Sequence, residues 1–160
     1  MIGSFRATAC ACIVVLVGLA PALASDKPFS SFEGSWSGSG AVRTADGASE
    51  RLRCRAAYRV SGDGAQMRQD LVCASDSYKF EISSDVTSTG GVLGGTWSER
   101  TRGVSGHVAG RTGSRRIDAS VDGLGFTATM VIVADRRTQS IDIRPTGTDV
   151  TGVTLNMSRR

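Results

Sequence analysis

From Gly34 onward, apolar and polar residues alternate with a period of two, and turn-forming residues break the alternation about every ten positions. That pattern predicts short antiparallel strands near 35–43, 49–60, 66–74, 78–86, 90–98, 103–110, 115–121, 125–134, 138–144 and 149–158. Asp46-Gly47, Asp63-Gly64 and Asp122-Gly123 mark tight turns, because glycine adopts the positive φ that hairpins require. No stretch after residue 24 carries helical periodicity. About 8–10 strands in sequence order predict an all-β, antiparallel up-and-down meander barrel, since closure removes exposed sheet edges.

The second predicted strand is the clearest. Leu52, Cys54, Ala56, Tyr58 and Val60 share one face, and Arg51, Arg53, Arg55 and Arg59 share the other. In the third, Met67, Leu71 and Cys73 oppose Arg68 and Asp70. Pairing Cys54 with Cys73 sets Val60 opposite Met67 and Arg59 opposite Arg68, so the two apolar faces coincide. The buried face continues through Tyr78, Phe80, Ile82, Leu93, Trp97, Val104, Val108, Ile117, Ala119 and Val121. Phe126 to Val133 is apolar on both faces towards its end, and Ile141, Ile143, Val153, Leu155 and Met157 complete the predicted interior. The glycine-rich stretch from Gly90 to Gly113 has two readings: sharp coiling of a small barrel, or space left inside it.

The chain before this pattern differs in kind. Arg6 followed by the apolar run Ala9 to Leu19 and by Pro21-Ala22-Leu23-Ala24 has the layout of a secretory signal peptide with cleavage after Ala24. The run is shorter than the roughly 20 residues that span a bilayer. Cys10 and Cys12 lie at its start rather than after it, which argues against a lipid-modified cysteine. Cleavage leaves about 136 residues, enough for one domain with its own core. Residues 25–33 read as a flexible lead-in and 34–160 as a single barrel domain. A periplasmic or secreted protein is expected, and Cys54 and Cys73, the cysteines left after cleavage, are expected to pair there.

Composition adds mostly exclusions. The net charge is +4, carried almost wholly by arginine. Arg100, Arg102, Arg111, Arg115 and Arg116 suggest either an anion-binding patch or a solvated surface. His107 is the one histidine; alternation turns it away from Val104 and Val108, towards solvent rather than towards a haem or metal. No nucleophile elbow, phosphate loop, dinucleotide fingerprint or Cys-x-x-Cys is present. No catalytic residue, metal ligand or cofactor is therefore assigned, and neither nucleic acid nor a transmembrane segment in the mature chain is expected.

Gly34-Ser35-Trp36 at the first strand, followed by about ten short strands, resembles the opening of calycin-type barrels, the group of lipocalins, avidins, fatty-acid-binding proteins and nitrobindin-like haem proteins. The mature chain also resembles small exported proteins of alphaproteobacteria through Cys73-Ala74-Ser75-Asp76-Ser77-Tyr78-Lys79-Phe80 and Gly95-Thr96-Trp97-Ser98-Glu99. The second likeness carries no activity. The first implies a barrel, often with a ligand inside, and the polar ligand-binding set of the avidins has no counterpart here. The expected function is non-enzymatic binding of a small, mainly apolar ligand by a monomer. Trp36, Tyr78, Phe80, Leu93, Trp97, Phe126 and Met130 would line the interior, although both tryptophans serve equally well as core plugs. Two other readings stand beside it. One is a protein-interaction module such as a periplasmic protease inhibitor, using Ser25 to Ser31 as an arm; the other is a filled barrel in the cell envelope.

Overall fold

The computed structural model describes residues 27–160; the expected signal peptide, with Cys10 and Cys12, lies outside them. The described residues form ten strands: β1 (Gly34–Thr44), β2 (Ser49–Val60), β3 (Gln66–Ala74), β4 (Lys79–Thr89), β5 (Val92–Glu99), β6 (Val104–Gly113), β7 (Arg116–Gly123), β8 (Phe126–Ala134), β9 (Thr138–Thr146) and β10 (Val150–Arg159). Each pairs antiparallel with its sequence neighbours, and β1 pairs with β10 to close an up-and-down barrel. The all-β meander read from the alternation is therefore the fold.

Differences from the expected boundaries have local causes. β4 runs to Thr89 rather than residue 86 because Gly90 and Gly91 both take positive φ (56° and 81°). They make a two-residue hairpin turn instead of the start of β5. Tyr78, expected at the head of β4, belongs to the turn before it, where its N–H donates to Ser75 Oγ at 3.0 Å.

The β2–β3 register is the one that alternation demanded: Cys54 opposite Cys73, Arg59 opposite Arg68 and Val60 opposite Met67. Cys54 and Cys73 are disulfide-bonded with Cα atoms 4.1 Å apart. The like-charged pair Arg59 and Arg68 is relieved sideways, by Asp70 at 3.2 Å and Asp85 at 2.8 Å. These are exposed ion pairs, each worth no more than about 1 kcal/mol. Inward positions form one continuous core, including Trp36, Leu52, Met67, Val86, Ile117, Ile132 and Leu155.

Several inward positions are glycine because neighbouring strands approach too closely for a side chain. A Cβ on Gly40 would collide with the Thr154 carbonyl oxygen, and one on Gly106 with that of Asp122. In the glycine-rich middle the collisions are with backbone, which favours coiling over empty space as the reason for Gly95, Gly106 and Gly110.

The two ends of the barrel are built differently. One carries the turns β2–β3, β4–β5, β6–β7 and β8–β9, and residues 27–33 are bonded to the first and third of them. The Phe29 N–H donates to Gly64 O at 3.2 Å, Lys27 Nζ to Gly62 O at 2.9 Å and Ser31 Oγ to Ser114 O at 2.6 Å. Phe29 and Phe32 are fully buried. We call this end the floor, and the opposite end, with the β1–β2, β3–β4, β5–β6, β7–β8 and β9–β10 turns, the mouth.

Candidate functional site

The floor is sealed by an aromatic and cationic stack. Trp36, on the first inward position of β1, donates its indole N–H to the Phe32 carbonyl at 2.8 Å. The Arg159 guanidinium from the end of β10 lies over the indole, 4.4 Å from the ring centre. The same guanidinium donates to the carbonyls of Glu33, Ser31 (2.8 Å) and Arg136 (2.8 Å), tying the lead-in to the β8–β9 turn. Beside it the Tyr58 hydroxyl donates to Gln139 Oε1 at 3.1 Å, and burial pushes the tyrosine pKa well above its ordinary value, only partly offset by that bond. The Gln139 amide nitrogen has no partner among the described residues.

Above this floor the barrel is hollow. A cavity of about 290 Å³ runs from Met67, Leu93 and Ile117 up to Arg102 and Thr148 in two turns of the mouth. Its wall is almost wholly apolar, with Leu71, Ile82, Val86, Val108, Ile132, Ile141, Ile143 and Leu155 among the contributors. Of the seven residues expected to line an interior, Phe80, Leu93, Trp97, Phe126 and Met130 are on this wall. Trp36 is not, because it is packed beneath the floor. Tyr78 is not, because it stacks on the far side of Phe80, with ring centres 6.0 Å apart and planes 8° from parallel. The two Gly-x-Trp motifs thus have different uses. Trp36 plugs the floor, whereas Trp97 packs edge-on to Phe126 at 5.6 Å and donates to Asp122 O at 2.8 Å, reaching past its cross-strand partner Gly106.

Five polar residues line the cavity: Gln69, Ser84 and Glu99 on strands, where the alternation did not mark them, and Arg102 and Thr148 in turns of the mouth. Gln69 sits between Met67 and Leu71 on the inward face of β3, with Ser84 of β4 directly opposite and its hydroxyl 3.4 Å from Gln69 Oε1. Glu99, 4% exposed, ends β5 at the mouth. Burial works to raise its pKa. The N–H groups of Glu81 (3.0 Å), Thr101 (3.0 Å) and Arg102 (2.8 Å) and the Thr101 hydroxyl (2.5 Å) outweigh it and hold the carboxyl at about 2. Arg102 lies 3.6 Å from Glu99 and stands over the Phe80 ring at 5.1 Å. Glu99 shares its inward parity with Leu93 and Trp97, which is the signal that would have placed it.

The remaining candidates lie elsewhere. The His107 side chain is 79% exposed on the outer wall, 3.5 Å from Asp122, which also accepts its backbone N–H at 2.5 Å. Among the described residues no group of three or more His, Cys, Asp and Glu side chains could hold a metal ion. The arginines from 100 to 116 are not one patch. Arg100 and Arg102 are at the mouth, Arg111, Arg115 and Arg116 at the opposite end of β6 and the start of β7, and Arg116 is paired with Asp118 at 2.6 Å. A shallow concavity on the outer wall carries Arg59, Arg68, Asp70 and Asp85, already paired with one another.

No protein-family model and no curated protein matches the chain. Solved structures do. Rv2717c from M. tuberculosis superposes with a TM-score of 0.64 at 14% identity, covering 89% of this chain and 99% of that one. The S-type phycobiliprotein lyase CPES from Guillardia theta superposes with a TM-score of 0.59 at 11% identity, covering 82% and 89%. At such identities the likeness is one of fold alone, and the closed ten-stranded meander fits the calycin-like barrel architecture expected from the first strand.

Proposed function

We propose that this protein is a non-enzymatic binding protein for a small, mainly apolar ligand held inside the barrel. The observation that carries the reading is the cavity of about 290 Å³ with an almost wholly apolar wall, sealed at one end and bordered by turns at the other. Its size lies at the small end of ligand pockets, and a few polar groups in an apolar wall is the usual composition of such sites. Phe80, Leu93, Trp97, Phe126 and Met130 would make the ligand contacts, with Trp36 supporting them from below. The Cys54–Cys73 bond is in keeping with an exported protein. Among the described residues no helix is long and apolar enough to cross a membrane.

The competing readings draw less support. A protease-inhibitor arm needs an extended lead-in, whereas Phe29 and Phe32 are buried under the floor. A filled envelope barrel needs no cavity. One of the fold neighbours is by name a lyase, but among the described residues no set of nucleophile, base and acid converges on this cavity. Native mass spectrometry of the protein purified from its own source tests the reading. A co-purifying mass of a few hundred daltons that denaturation releases is expected, and a bare chain would count against it.

A further inference from the structure

The polar groups of the wall are not scattered, and what they leave unpaired defines a ligand class. At the mouth, Arg102 uses one corner of its guanidinium. Nη1 donates to the Lys79 carbonyl at 3.3 Å and the Thr101 hydroxyl at 3.4 Å, and it is the atom nearest Glu99. Nε and Nη2 have no hydrogen-bond partner among the described residues, and the group is held over Phe80. An arginine anchored at one corner, with an Nε/Nη2 edge left free, presents two parallel N–H donors, the arrangement that grips a carboxylate. Glu99 does not compete for that edge as an acceptor, because both of its oxygens are taken up by Thr101 and Arg102 of the β5–β6 turn and by the Glu81 N–H of β4.

Deeper in the cavity, the cross-strand row Gln69, Ser84 and Trp97 interrupts the apolar wall. Gln69 is 9% exposed; its Oε1 accepts from Ser84, while its amide nitrogen donates no hydrogen bond among the described residues and keeps some accessible surface rather than being sealed in the packing. An amide bordering an apolar cavity gains when it finds an acceptor there. Along β4 the separation from Ser84 to Phe80 is four residues, roughly 14 Å of strand. Ile82 lies between them, and Met130 and Phe126 line the same cavity. The cavity volume holds roughly ten water-sized groups.

We infer that the ligand is an aliphatic carboxylate of about ten carbons carrying a hydroxyl or carbonyl at its far end, with the carboxylate on Arg102 and the far oxygen on Gln69 and Ser84. This rests on the apolar-ligand reading above and adds polarity and orientation to it. An ammonium head finds no free acceptor at the Arg102 edge, because both Glu99 oxygens are already bonded.

The test is displacement of a neutral apolar fluorophore, N-phenyl-1-naphthylamine, from the full chain by decanol, decylamine, decanoate and 10-hydroxydecanoate. Decanoate should displace it at about one tenth the concentration that decanol needs, a difference of about 1.4 kcal/mol. Decylamine should be weaker than either, and 10-hydroxydecanoate stronger than decanoate. Arg102→Gln should bring decanoate down to the level of decanol while leaving decanol unchanged. Gln69→Leu, which suits the apolar wall, should remove the advantage of the hydroxyl and leave decanoate intact. Equal displacement by decanoate and decanol, or a carboxylate preference that survives Arg102→Gln, overturns the assignment while the apolar-ligand reading stands. If 10-hydroxydecanoate and decanoate are equivalent, the Gln69 end is wrong. Failure of the fluorophore to bind at all overturns both.

Discussion

The floor and the mouth of this barrel are made from similar residue types and behave as opposites. At the floor an arginine, a tryptophan and two phenylalanines pack to completion: Arg159 spends its donors on three backbone carbonyls and covers Trp36. At the mouth an arginine also stands over an aromatic ring, but Arg102 keeps one edge free and Phe80 borders a void. The difference is what the chain supplies from outside the strands. The lead-in brings Phe29 and Phe32 beneath the floor. Among the described residues no comparable segment crosses the mouth, whose turns are short. Stability is therefore concentrated at one end and room for a ligand at the other.

Emptying the floor should have the largest effect. Trp36→Ala removes a fully buried ring that holds the lead-in against β10, and should destabilise the fold by about 3–5 kcal/mol in urea unfolding. A cost below about 1 kcal/mol would mean that the floor is not the stabilising end. Replacing Cys54 and Cys73 together by Ala opens a loop of sequence separation 19 and should cost about 3 kcal/mol.

At the mouth, Glu99→Gln should cost about 1.5–3 kcal/mol, because the carboxylate anchors the β5–β6 turn through charged hydrogen bonds. The folded carboxyl is held at about 2, below its ordinary 4.5. Its contribution is thus present above about pH 4.5 and fades as the pH falls through about 2. Acid titration of stability should be flatter in the Gln variant over that window. Parallel curves would show that Glu99 is not the group responsible.

Legibility in the sequence follows the same division. Alternation and tight-turn glycines specify strands locally, so the meander, the Cys54–Cys73 register and most of the inward apolar set are legible from residue order alone, with Tyr78 the exception that falls in a turn. The floor is not. Phe29 and Phe32 lie in a segment too short to show a period, and Arg159 acquires its role only when β10 closes on β1, more than a hundred residues away. Gln69 and Glu99 share the inward parity of their neighbours, but a polar side chain in an apolar series reads as a lapse in the pattern rather than as a member of it. Trp36 and Trp97 carry the same motif and look alike in the sequence. Strand position alone separates them, the first at the floor and the second on the cavity wall.

Whether the space above the floor is a binding site or slack in the packing can be measured directly at Ala128, buried on β8 and part of the cavity wall. Ala128→Phe places a ring in the void, and because it fills space instead of displacing neighbours it should change stability by less than about 1 kcal/mol. Fluorescence titration with N-phenyl-1-naphthylamine should then show saturable one-to-one binding to the native chain and none to the folded variant. Undiminished binding to Ala128→Phe would place the ligand elsewhere and contradict the account.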